Sequence, residues 1–396
     1  MRRRLLHTPE GVRDIYNMEC ARKLILQDNL HNLLKKYGYH AIETPTFEFF
    51  DIFSREIGTT PSKDLYKFFD REGNTLVLRP DMTPSIARCV AKYYGDEEFP
   101  VRLSYMGNTF INNSSYQGRL KENTQLGAEL VGDNSVAADA EILALVVNAL
   151  KTVGLQEFQI GVGHVGFFRG LVEAAELEEE LEQELITLIS NKNFFGVEEV
   201  IDSLHLSGAL KELFSMLGSI CMTDDMLKRA QELSQEFPRI LQALERLEAL
   251  QQVLSCYGIE KYISIEPGML SSYHYYTGMI FAGYTFGSGE PIVKGGRYDH
   301  LMDYFGKQAP AIGFAVVIDQ LLAALSRQKV EISVESNQIL IVYREEMQSD
   351  AIHQAELLRK QGIGAVLITW EDTKTEEDYQ AYARRMHMNE VIFLRQ

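Results

Sequence analysis

Residues 122–131, ENTQLGAELV, decide how the rest of the chain is read. If side chains alternate about an extended backbone, Leu126, Ala128 and Leu130 fall on one face and Asn123, Gln125 and Glu129 on the other. Such a strand packs on helices with its apolar side and lines a polar groove with the opposite side. Taken alone, a polar face of this kind is ordinarily solvated, so the groove reading needs support from elsewhere in the chain.

Working outward, the N-terminal side supplies a helix and then short strands. Residues 18–37 carry apolar positions at helical spacing and stop at Gly38. YHAIETPTFEFF (39–50) reads as extended chain broken by Pro45, and LYKFFDREGNTLVLRP (65–80) as a hairpin about REGN. Thr83-Pro84 is expected to open a helix, with the threonine as its cap and the proline at the first position. On the C-terminal side, Ser135 caps a helix running to about Gly154, and FQIGV returns as a strand. The segment 167–257 turns helical and strongly acidic in parts, an all-helical insertion. Strands resume at 262–266 and 275–286, and helix–strand alternation runs to about 328. The polar stretch SRQKVEISVESNQ (326–338) then leads into a 337–396 tail whose apolar runs QILIVY, GAVLIT and EVIFLR alternate with helices, a small βαβαβ unit with parallel strands. The class is therefore α+β: an antiparallel sheet flanked by helices over 1–328, with the helical insertion, followed by a small α/β unit.

Composition narrows the function. With 396 residues, 45% of them hydrophobic, the chain can bury a large core. No apolar run approaches the roughly 20 residues of a membrane-spanning helix. MRRRLLHTPEG lacks the apolar stretch of a secretory signal, so a cytoplasmic location and no membrane partner are expected. Cys20, Cys89, Cys221 and Cys256 show no CxxC spacing and the nine histidines no ligand spacing, so neither a metal nor another cofactor is expected. A net charge of −17 disfavours a polyanionic partner, because phosphate neutralisation supplies most nucleic-acid affinity.

Two glycine motifs have bland readings. GVGHVG (161–166) matches a dinucleotide fingerprint, but helical, glutamate-rich sequence stands where a second strand ending in an acidic residue is required; it reads as a strand-to-helix turn. GGRYD (295–299) lacks the GK[ST] ending of a phosphate-cradling loop and alone reads as a tight turn.

Order changes this. PEGVRD, YGYHAIETP, LRPDMT, TQLGAELVG, YYTG, GGRYD and AIGFAVVIDQL follow one another between Pro9 and Leu321. The series resembles the class II histidyl-tRNA synthetase catalytic domain over roughly residues 5–325. The resemblance implies a histidine pocket of Asp81, Thr83, Arg119, Gln125, Glu129, Tyr275 and Tyr276. Gln125 and Glu129 are two of the residues that strand parity alone put on the polar face. Carboxylates suit the ammonium and imidazole N–H groups, and amides and hydroxyls fix orientation.

The departures matter more. Where the synthetases carry three arginines that hold the substrate carboxylate and the ATP phosphates, this sequence has Ile111, Ser271 and Gln320. Only Arg119 keeps its charge, and no substitute cation stands near the three positions in the sequence. Fixed guanidiniums offset the repulsion in attack on a phosphorus ringed by anionic oxygens, and losing one such group costs roughly 10²–10³ in rate. No catalytic residue is therefore expected. LRPDMTPSIAR resembles the form found in the ATP phosphoribosyltransferase regulatory subunits. That branch implies a non-catalytic subunit for the first step of histidine biosynthesis. It would partner a short-form catalytic subunit and transmit feedback by histidine, with a homodimeric core inside a hetero-oligomer. The tail resembles a truncated anticodon-binding domain, and no tRNA partner is expected. The rival readings are a divergent histidyl-tRNA synthetase and a stand-alone histidine-binding module.

Overall fold

The computed structural model describes residues 6–53, 60–113, 120–204, 206–271, 275–286, 288–334 and 336–395. It divides into two units, 1–331 and 332–396. The first begins with α1 (Asn17–Lys36), whose C-terminus is followed by Gly38 at φ +81°, a left-handed conformation that glycine adopts without strain. Short strands β1 (His40–Ala41), β2 (Phe47–Phe49), β3 (Lys67–Phe69) and β4 (Thr75–Leu78) follow, then α2 (Thr83–Tyr93). The long pair β5 (Val101–Phe110) and β6 (Glu122–Val131) leads to α3 (Val136–Thr152) and β7 (Phe158–His164). Next come the helices α4 (Val165–Ala174), α5 (Glu179–Ser190), α6 (Phe194–Ser203), α7 (Gly208–Ser215), α8 (Asp224–Leu233) and α9 (Pro238–Tyr257). The unit closes with β8 (Ile263–Ile265), β9 (Met279–Thr285), β10 (Val293–Arg297), β11 (Ala311–Val317) and α10 (Ile318–Arg327).

Eight of these strands form one sheet in the order β1-β5-β6-β11-β10-β9-β7-β8. Its six inner strands pair antiparallel, and only the edge strands β1 and β8 pair parallel. The α+β expectation holds. Strand β6 behaves as its alternation requires: Leu126, Ala128 and Leu130 are completely buried on one face. Behind that face lies α3, apolar on all sides and so buried along most of its length. Ser135 caps it, accepting from the Ala138 N–H at 3.1 Å. GVGHVG is indeed the turn from β7 into α4, with His164 Nδ1 accepting from the Gly166 N–H at 3.0 Å.

The hairpin at 65–80 forms as β3 against β4. Thr83 departs from its expected role. It sits inside the first turn of α2 behind Met82, caps nothing with its side chain, and sends its hydroxyl elsewhere. The carboxylate of Asp81 takes the Thr83 N–H instead, at 3.3 Å.

On the helix-covered face the sheet is pinned by a buried ion network. The Arg297 guanidinium, 1% exposed, donates to Asp139 Oδ1 on α3 through Nε (2.9 Å) and Nη2 (2.6 Å). Its Nη1 reaches the Asp133 carbonyl at 3.0 Å and Asp299 at 3.2 Å. Arg246 of α9 binds the other oxygen of Asp139 at 2.8 Å. One aspartate thus ties β10, α3 and α9 together.

The second unit is a parallel sheet of β12 (Gln338–Tyr343), β13 (Gly364–Thr369) and β14 (Glu390–Leu394), with β12 in the middle. The helices α11 (Gln348–Lys360) and α12 (Glu376–Arg385) supply Ala351 and Ala355 to one small core and Tyr379 and Ala383 to another.

Candidate functional site

The face of the main sheet opposite α3 is floored by small residues. Cross-strand partners in a ladder point to the same side. One row runs Gly163, Ile280, Gly296, Gly313 and Glu129 across β7, β9, β10, β11 and β6. The next runs Gly161, Ala282, Lys294, Ala315 and Gly127. In these two rows only Ile280, Glu129 and Lys294 bear long side chains. The glycines are required by proximity: a Cβ on Gly313 would overlap the Glu129 carboxylate, one on Gly127 the Tyr105 hydroxyl, and one on Gly296 would stand 2.8 Å from the Tyr276 ring.

Glu129 is the centre of the arrangement and is 1% exposed. Its Oε1 accepts from the Thr83 hydroxyl at 3.0 Å and its Oε2 from the Tyr298 hydroxyl at 2.5 Å. Burial pushes the carboxyl up to about 8; the two hydroxyls pull the other way, and the charge of Asp81 adds to the rise. Tyr298 is in turn held well above the usual tyrosine range by burial and by Glu129. Asp81 accepts from the Tyr275 hydroxyl at 3.3 Å. The Tyr275 ring meets Tyr276 and Tyr298 edge-on at 4.8 and 5.8 Å. Gln125, two pleats from Glu129 on the same face, has a buried Oε1 with no hydrogen-bond partner. A buried acceptor left unpaired costs free energy that a ligand N–H would recover.

Six of the seven residues proposed from the sequence, Asp81, Thr83, Gln125, Glu129, Tyr275 and Tyr276, line one narrow cavity of about 50 Å³. The seventh, Arg119, lies outside the described residues. Gln125 and Glu129 on the polar face of β6 therefore line a cavity, and Asn123 on the same face does not.

The lining residues with polar side chains that escaped the sequence reading are Tyr298, Tyr105 and Lys294. GGRYD is more than a turn, since its arginine anchors the covered face while its tyrosine bonds Glu129 on the other. The signal was the parity of Gly296, Arg297 and Tyr298, which becomes legible only once β10 is known to be a strand.

Of the three departed positions, Ile111 and Gln320 lie at the ends of elements and Ser271 between β8 and β9. Ile111 follows β5 and donates its N–H to the Lys121 carbonyl at 2.9 Å. Gln320 stands in the first turn of α10, beside Asp319, which binds Lys23 at 3.1 Å and the Thr124 N–H at 2.9 Å. Ser271 lines a second, adjoining cavity of about 240 Å³ together with Tyr276 and Lys294. Lys294 borders both cavities, the one basic side chain among the described residues that line them.

Known proteins resemble this chain over most of its length. A family model described as histidyl-tRNA synthetase matches residues 11–321. The chain is 41% identical over 380 residues to an ATP phosphoribosyltransferase regulatory subunit from Acetivibrio thermocellus, covering 95% of this chain and 90% of that protein. It is 40% identical to the protein of the same name from Ruminiclostridium cellulolyticum, over 100% of this chain and 94% of the other. Among solved structures, one described as an ATP phosphoribosyltransferase regulatory subunit/histidyl-tRNA synthetase from Bacillus halodurans superposes with a TM-score of 0.86. It is 33% identical and covers 98% of each chain.

Proposed function

Since the chain belongs to the family of ATP phosphoribosyltransferase regulatory subunits, built on the histidyl-tRNA synthetase fold, we propose that it activates a short-form catalytic subunit and senses histidine without performing chemistry itself. The observation that carries this reading is the charge of the site. Asp81 and the buried Glu129 carboxyl, which burial keeps protonated up to about pH 8, face a cavity bordered by a single described lysine. One ammonium does not replace several planar guanidiniums around a transferring phosphoryl group. A small molecule bearing its own N–H donors is the better match. Asp81 accepts from an ammonium or imidazole, a ligand cation beside Glu129 favours loss of the proton that burial keeps on it, and the unpaired Gln125 oxygen takes a further N–H.

Histidine in this pocket would act by binding one conformation of the complex more tightly than another, because a ligand shifts an equilibrium only through differential affinity. In this proposal a homodimeric core sits within the hetero-oligomer, and 337–396 is a truncated anticodon-binding-like domain that does not recognise tRNA. None of the described helices is long and apolar enough to cross a membrane, and we place the protein in the cytoplasm.

Mixing the purified chain with a short-form catalytic subunit is expected to raise phosphoribosyl-ATP formation, and added histidine to suppress it. An unchanged rate on mixing defeats the assignment. The chain alone is expected to show no histidine-dependent ATP–pyrophosphate exchange, and appreciable exchange would identify an active ligase. Within the pocket, Gly313→Ala forces the Glu129 carboxylate out of position and is expected to weaken histidine binding by about 10- to 100-fold, the scale of one or two charge-assisted hydrogen bonds. Unaltered affinity by calorimetric titration would remove Glu129 from the binding site.

A further inference from the structure

We propose that Lys294 is the carboxylate anchor of the pocket and makes it selective for an intact α-amino acid over the corresponding amine or alcohol. This rests on the reading of the pocket as a histidine site. It goes beyond that reading by assigning the anion-binding role to a residue on a different strand from any of the lost arginines.

The argument starts from register. Lys294 pairs with Ala282 on one side and Ala315 on the other, and the row continues into Gly161 and Gly127. Across these five strands no other side chain of the row extends beyond a methyl group, while Glu266 covers Gly161 and Tyr105 covers Gly127. Glu129 lies two strands away in the neighbouring row, through Gly313 and Gly296. With strands ~4.8 Å apart and two residues spanning ~6.7 Å, the two α-carbons are roughly 12 Å apart. Between them lies the glycine floor. Lys294 and Glu129 border the same cavity from these two positions, with the Tyr276 ring over Gly296 and the Glu129 carboxylate over Gly313.

Charge supports the same orientation. The Glu129 end also holds Asp81, so the cationic groups of the ligand belong there. The ligand's carboxylate is then directed away from both acids, toward the wall shared with the adjoining cavity. Lys294 and Ser271 border that cavity, and Lys294 is its only described basic residue. Lysine's four-carbon stem and rotatable ammonium suit a single carboxylate, which does not need the bidentate fork of arginine.

The test uses the full chain and two ligands, histidine and histidinol, which differ only at the carboxylate. Calorimetry on the wild type is expected to show histidine binding about tenfold or more tighter than histidinol, the factor associated with one charge-assisted hydrogen bond. Lys294→Ala is expected to remove that preference by weakening histidine while leaving histidinol within about twofold. Lys294→Arg should restore part of it. Lys294 is on the surface, so the variants should keep the fold, which circular dichroism checks. A variant that keeps the full preference overturns the assignment of Lys294, as does a wild type that binds both ligands equally. If the wild type binds neither ligand, the histidine site itself fails and the anchor with it.

Discussion

Replacing Arg297 with methionine is expected to cost about 3–5 kcal/mol of stability, the penalty for removing one partner of a buried ion pair. The guanidinium is 1% exposed, and its donors satisfy Asp139, Asp299 and the Asp133 carbonyl. Methionine fills much of the volume, so the loss reports unpaired acceptors rather than a cavity. Arg246 still holds the second oxygen of Asp139 and limits the damage, which places the expected value toward the lower end. Arg297→Lys keeps the charge but not the fork that binds Asp139 through two nitrogens, so it should fall between wild type and methionine. Urea denaturation of the full chain measures both; a loss below about 1 kcal/mol for the methionine variant contradicts a structural role for this network.

The second large effect is a pH dependence set by Glu129. Its carboxyl titrates near 8 in the folded chain, against 4.5 for an ordinary glutamate. Between those values the folded protein keeps a proton that the unfolded chain has released. The associated stability is fully present below about pH 4.5 and is lost as pH rises through 8, the reverse of the usual buried ion-paired carboxylate. A gap of that size corresponds to about 5 kcal/mol over the whole window. Glu129→Gln, which carries no titrating proton, should abolish this slope and leave the variant more stable than wild type at pH 9. The observable is the difference in urea midpoint between the two proteins at pH 6 and at pH 9. If that difference does not change with pH, Glu129 is not the titrating group.

How much of this was visible beforehand differs from residue to residue. The alternation in 122–131 placed Gln125 and Glu129 on one face because a strand's period is two and only its local sequence is needed. The Ser135 cap and the GVGHVG turn were legible for the same reason: their hydrogen bonds span two or three residues. What stayed hidden joins distant parts of the chain. The Tyr298–Glu129 bond spans 169 residues, and Thr83 gives its hydroxyl to a carboxylate 46 residues away instead of capping its own helix. The burial of Glu129 was hidden too, since it depends on four other strands and α2. Lys294 went unnoticed because it stands on β10, away in sequence from the positions that were searched. A search near Ile111, Ser271 and Gln320 in sequence could not reach it.

The bare floor of the site has a consequence for how such a protein changes over generations. Where the relief of a basin is drawn by main chain, substitution can only add material: any residue larger than glycine at 127, 296 or 313 intrudes, and none deepens it. The shape is thus conserved by geometry, while chemistry is free to drift at the few stations planted around it.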